Sequence, residues 1–272
     1  MLVLKLNLVM ENLFLKVLEA MLDLIDVINV DCSRTGLKLQ AFDTDVITIV
    51  ELFISVEDFK DYDLYDEEDL SVGIPIDVLV KAIRCADEGD TITIKVDDEY
   101  LDTIAFSLET PKDDTTYNVR VVDTDHLFYI PDEKVFDSNY QAIVQMPSAE
   151  FMRVCKYLSN KGSDGHISVT EDGLIFSTYG KYGDVNIRYI KTEKATTATD
   201  VTYNMQAPVY LTLDLKYMYN IAKVSALPGQ AVKISLSTMH PLMIECKMGK
   251  MSYMRFFLAP KGDFTLLHCS DD

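Results

Sequence analysis

The chain has 272 residues, 48% of them hydrophobic, with 44 acidic against 25 basic side chains and a formal charge of −19. That length accommodates two domains of ordinary size, and the hydrophobic share excludes a disordered chain. The charge excludes a generic nucleic-acid binder, since a uniformly acidic surface repels phosphate, and no apolar run reaches the ~18 residues of a membrane span.

In chain order, MLVLKLNLVMEN alternates and predicts a first strand rather than a signal peptide. MENLFLKVLEAMLDLI reads as a helix with Phe14, Val17 and Leu18 on one side and Lys16 on the other, Glu19 being the exception to that basic side. LKLQAF and VITIVELFISV follow as strands. DYDLYDEED (Asp61 to Asp69) suggests a calcium loop, but Tyr65 and Asp66 stand where that motif needs an oxygen ligand and a glycine, so it reads as a solvated acidic loop. Asp77 to Ala86 is a second helix, with Leu79, Ala82, Ile83 and Ala86 opposed by Lys81 and Arg84; the strands TITIKV and DTIAFSLE come after it. Residues 123–139 (DTDHLFYIPDEKVFDSN) form a polar connector with an apolar island, Leu127 to Pro131.

The second half begins with MPSAEFMRVCKYLSNKG (Met146 to Gly162). At ~100° per residue, Phe151, Val154, Cys155 and Leu158 share one side, and Arg153, Lys156 and Asn160 the other. Ser148 is the expected N-cap, Glu150 suits the positive end of the dipole, and Gly162 can close the far end. GHISVT, GLIFSTY, VNIRYI, VTYNM and VYLTLDL are expected strands. Leu215 to Ala226 is a fourth helix bearing Lys216, Asn220 and Lys223 on its polar side, and AVKISL and LMIECKM are further strands.

These elements repeat. Phe151 lies 137 positions beyond Phe14, and in the same register Arg153 lies over Lys16 and Gly173 over Gly36. FSLETPKDD near the end of the first half resembles RFFLAPKGD near the end of the second. A fixed offset held over several elements marks an internal duplication. The expectation is two sheet-rich domains, 1–122 and 140–272, joined by the connector 123–139, each with two helices whose outward sides are basic. On so acidic a chain, that concentration of Lys and Arg marks the helical faces as special.

Catalytic signatures are missing: there is no G-x-x-x-x-G-K-[ST], G-x-S-x-G or H-E-x-x-H, and no cofactor or metal is expected. Cys32, Cys85, Cys155, Cys246 and Cys269 are odd in number and scattered, as free thiols in a reducing compartment would be. His126, His166, His240 and His268 show no metal-ligand spacing.

KVLEAMLDLI, GLKLQAFDTD, KAIRCADEGDTITI, IPDE, MPSAEFMRVCKYLS and FFLAPK, in this order from Met1 to about Lys261, resemble the proliferating cell nuclear antigen (PCNA) family of eukaryotic and archaeal DNA sliding clamps. The resemblance implies an α+β DNA-clamp fold: two duplicated domains per chain, in a homotrimeric ring with sheets outside and helices lining the central hole. It implies a non-enzymatic polymerase processivity factor of DNA replication and repair, nuclear if the source is eukaryotic. A heterotrimeric checkpoint-type or archaeal clamp subunit, or a viral processivity factor, is the alternative.

By position, Lys16, Lys81, Arg84, Arg153, Lys156, Lys216 and Lys223 would face duplex DNA without reading its sequence. Phe42, Ile47, Ile49, Phe128, Ile130, Pro241, Phe257 and Ala259 would line a pocket for the short peptides of polymerase, clamp loader and other clients. Phe42 and Phe128 put bulkier rings where the family has aliphatic side chains. Thr115 to Arg120, including Tyr117 and Val119, would pair with Tyr182 to Ile187 of a neighbour, including Val185 and Ile187. Glu171 stands where many eukaryotic members carry the lysine modified during damage tolerance. The ending GDFTLLHCSDD is less acidic and more apolar than is usual in the family.

Overall fold

A computed structural model describes residues 2–6, 15, 17–19, 21–22, 25–43, 45–64, 70–84, 91–96, 103–109, 114–122, 140–181, 183–190, 201–226 and 230–262. They fall into two compact units. The first comprises Met1–Thr44, Val50–Tyr129 and Met248–Met254, and the second Asp45–Ile49, Ile130–Lys247 and Arg255–Asp272.

In the first unit, β1 (Leu2–Leu6), β5 (Phe59–Leu64), β7 (Thr91–Val96), β8 (Thr103–Glu109) and β9 (Asp114–Arg120) form an antiparallel sheet in the order β5-β1-β7-β8-β9. A second layer runs β4-β3-β2-β6, from β2 (Val27–Ser33), β3 (Gly36–Phe42), β4 (Thr48–Ser55) and β6 (Leu70–Pro75). The second unit repeats this plan strand for strand. β10 (Ala142–Pro147), β14 (Thr202–Met205), β16 (Ala231–Leu236), β17 (Leu242–Lys247) and β18 (Tyr253–Leu258) run β14-β10-β16-β17-β18. β11 (Asp164–Thr170), β12 (Gly173–Gly180), β13 (Gly183–Tyr189) and β15 (Val209–Asp214) run β13-β12-β11-β15. The duplication read from residue spacing is therefore a duplication of topology.

It extends to single backbone angles. Gly36 and Gly173, each opening the second strand of a β2–β3-type hairpin, have φ of 147° and 137°. Side chains avoid that region, and a Cβ at Gly36 would meet the Ile54 carbonyl oxygen at 2.1 Å.

Three α-helices of nine residues or more stand among the described residues: α1 (Ile76–Arg84), α2 (Ser148–Ser159) and α3 (Leu215–Ser225). Residues 15 and 17–19 are also helical, and Val17 and Leu18 are buried. The expected stripes are the buried ones. Leu79, Ala82 and Ile83 are covered on α1, and Phe151, Val154, Cys155 and Leu158 on α2. Complete burial of such side chains stabilises by about 1.5–3 kcal/mol each, far more than the helix's own propensity supplies. β11 shows the matching strand pattern, with Gly165, Ile167 and Val169 inward and their neighbours half-exposed.

Two expectations are corrected. Ser148 is not the cap of α2 but its first residue: β10 runs straight into the helix, and Pro147, extended at φ −56° and ψ 137°, occupies the cap position. Asp61 to Leu64 is not loop but part of β5, paired with β1. Its acidic residues are tolerated because β5 is an outermost strand, while Phe59 is buried and the Tyr62 hydroxyl donates to the Gly36 carbonyl at 3.0 Å. Residues 65–69 of that acidic run, the connector 123–139 and the ending 263–272 lie outside the described residues.

Candidate nucleic-acid interface

The buried stripes leave the opposite side of each helix to solvent, and that side carries the basic residues. Lys81, Arg84, Arg153, Lys156, Lys216 and Lys223 are all exposed, whereas Asn220 is half-buried; Lys16 lies outside the described residues. α3 is oriented by its start: the Asp214 carboxylate accepts from the Lys216 backbone N–H at 2.8 Å, a side-chain cap that the sequence reading overlooked.

Most of these cations are already engaged. Lys81, 71% exposed, sits 2.7 Å from Asp77 one turn earlier, and hydrogen bonding from its ammonium holds the Asp77 carboxyl below the usual range. Arg84 donates through Nε and Nη2 to Glu19 Oε1 at 2.9 and 2.6 Å. Arg153 makes a two-pronged contact with Glu150, Nε to Oε2 at 2.7 Å and Nη2 to Oε1 at 2.6 Å. The Tyr189 hydroxyl of β13 also donates to Glu150 Oε1. Bonding from Arg153, and secondarily from Tyr189, depresses the Glu150 carboxyl, while burial and the same carboxylate raise the Tyr189 phenol. Lys216 lies 3.9 Å from Asp45 and over the Tyr217 ring, and Lys223 lies over the Tyr219 ring. Lys156 has no carboxylate partner among the described residues.

The pocket residues divide. Ile47, Ile49, Pro241, Phe257 and Ala259 belong to the second unit, and Phe42, half-buried, to the first; Phe128 and Ile130 lie outside the described residues. Ile47 and Ala259 are half-exposed and joined by the Ala259 N–H donating to the Ile47 carbonyl at 3.0 Å. Ile49 and Pro241 are buried. Phe257 shares one face of β18 with Arg255, opposite Met254, Phe256 and Leu258, yet is only 3% exposed.

β9 and β13 are each the outermost strand of their sheet. Tyr117 is exposed, Val185 and Ile187 are half-exposed, and Val119 is buried. Glu171 is exposed in the turn between β11 and β12.

Comparison with known proteins gives the family. The family model described as "Proliferating cell nuclear antigen, N-terminal domain" matches residues 1–127, and the one for the C-terminal domain matches 134–261. The chain belongs to the PCNA family. The proliferating cell nuclear antigen of Dictyostelium discoideum is 34% identical over 263 residues, covering 94% of this chain and 98% of that protein. The chain is accordingly an α+β DNA sliding clamp and polymerase processivity factor, of a family whose clamps are non-catalytic. Among the described residues, no group of three or more His, Cys, Asp or Glu is placed to hold a metal.

Proposed function

We propose that this clamp works as a homotrimer whose three copies close end to end around duplex DNA. Residues 1–122 and 140–272 of each copy form its two clamp domains. The inner wall is made by the exposed sides of the helices, with Lys81, Arg84, Arg153, Lys156, Lys216 and Lys223 touching phosphate and Lys16 joining them by its place in the repeat. Contacts of this kind read no bases and hold the duplex loosely, so retention comes from encirclement.

Copies join where β9 of one adds to β13 of the next, through Tyr117, Val119, Val185 and Ile187. Two open sheet edges support that pairing, since a strand left with free N–H and C=O groups invites another. Client peptides dock on Ile47, Ile49, Pro241, Phe257 and Ala259, with a nuclear setting if the source is eukaryotic. No described helix is long and apolar enough to cross a membrane.

The observation that carries this reading is the two-sidedness of the helices: apolar stripes buried, and Lys and Arg gathered on the other side of a chain with net charge −19. Native mass measurement is expected to give three chains, and polymerase products on primed circular DNA should lengthen only after a loader places the ring. A single chain that stimulates nothing would refute the proposal.

A further inference from the structure

The basic faces are weaker than their cation count suggests. Of the six described cations, Lys81, Arg84, Arg153 and Lys216 each have a carboxylate within 4 Å. Two of these carboxylates differ from the rest. Glu19 reaches across 65 residues of sequence to take two of the N–H donors of Arg84, those of Nε and Nη2. Glu150 faces Arg153 fork to fork and is pinned by the Tyr189 hydroxyl from a different element, so it cannot simply swing away.

A phosphate approaching the Nε and Nη2 side of either arginine meets a pair of N–H donors already held by a carboxylate, because both anions accept the same planar pair. An exposed ion pair adds little net free energy, so exchanging carboxylate for phosphate is close to neutral. The displaced carboxylate nevertheless stays beside the duplex and repels it. Each such arginine therefore contributes less than one full counterion-releasing contact.

From this we propose that Glu19 and Glu150 are counter-charges that set how tightly the clamp holds DNA, keeping the inner wall loose enough to slide. This rests on the helical faces meeting DNA, as argued above.

The test uses the full chain and a short fluorescent duplex with free ends, titrated by anisotropy across a salt series. Glu19→Gln and Glu150→Gln each free one arginine while keeping the size of the side chain. Each is expected to tighten binding roughly fivefold at low salt and to steepen the plot of log K against log[salt] by up to about one unit. Glu150→Asp, which keeps the charge, should return toward the unmodified protein. Glu171→Gln removes the same charge from the β11–β12 turn and should change neither quantity.

If all three glutamine variants tighten equally, the effect is bulk charge and the counter-charge idea fails. If Glu19→Gln and Glu150→Gln leave the slope unchanged while Arg84→Gln and Arg153→Gln flatten it, the inner wall stands and the counter-charge role is refuted. If the arginine variants also have no effect, the DNA-facing assignment falls with it. Glu19 lies on a different helical segment from Glu150, so instability at either position leaves the other to decide.

Discussion

The two units repeat one topology, yet equivalent strand ends meet different fates. β18 ends against the segment Asp45–Ile49, its continuation bonded through the Ala259 N–H to Ile47. β9 holds the same place in the first unit's sheet order and is left as an edge. The helices diverge in a similar way. Arg84 finds its carboxylate on another helical segment, whereas Arg153 finds it one turn away on α2, braced by Tyr189. Duplication has kept what folds the chain, the sheet orders, the left-handed glycines and the apolar stripes, and has varied the strand ends and the partners of the exposed arginines.

The largest expected effect tests the helical faces. Changing Lys81, Arg84, Arg153 and Lys156 together to Glu reverses four charges per copy. With about 0.9 of a counterion released per phosphate contact, that should abolish polymerase stimulation, while native mass still reports three chains. Stimulation that survives would mean that the duplex passes elsewhere. Next comes the contrast between the open and closed edges. Val185→Lys with Ile187→Lys should weaken self-association at least thirtyfold, as loss of a central contact worth about 2 kcal/mol does. Folding should be kept, because both side chains are already half-exposed. A trimer unaffected in native mass would mean that β13 is not the contact.

A smaller effect separates the two sides of α2. Phe151→Ala removes a side chain with no exposure and should cost about 3–5 kcal/mol in urea unfolding, whereas Arg153→Ala should cost less than about 1 kcal/mol. Equal losses would mean that the stripe is not what anchors the helix.

That stripe is legible in the sequence, as are the duplication and most strands, because hydrophobic period depends only on spacing within one element. What spacing cannot report is which residue of another element lies opposite. The Tyr189–Glu150 bond, the Glu19–Arg84 pair and the grouping of Asp45–Ile49 with the second unit are all of that kind. β5 escaped because its acidic residues look like loop, and they are admissible only on a strand with one free edge. Phe257 is assigned to the pocket by resemblance, and its burial on a face shared with half-buried Arg255 is a tertiary fact that spacing does not report. Cys155 and Cys246, expected as free thiols, are buried as well, and burial pushes both up, Cys246 to about 12.

The smallest effect is a pH dependence that also separates the units. Hydrogen bonding from Arg153 and from Lys261 holds the Glu150 and Asp164 carboxyls of the second unit below their ordinary range. Asp77 is the corresponding depressed group of α1, but both it and its partner Lys81 are exposed. A carboxyl whose pKa is lower folded than unfolded contributes stability above its unfolded value, near pH 4 to 4.5. That contribution disappears as pH falls through the folded value, because the unfolded chain then takes up more protons. Urea midpoints should therefore hold from neutral pH down to about 5 and decline below it. Glu150→Gln should flatten part of that decline, by less than about 1 kcal/mol given how exposed Arg153 is. Asp77→Asn, whose exposed pair with Lys81 is screened by solvent, should flatten the slope less. A slope moved by Asp77→Asn and not by Glu150→Gln would invert the comparison, locating the acid-sensitive ion pair in the first unit instead of under Tyr189 in the second.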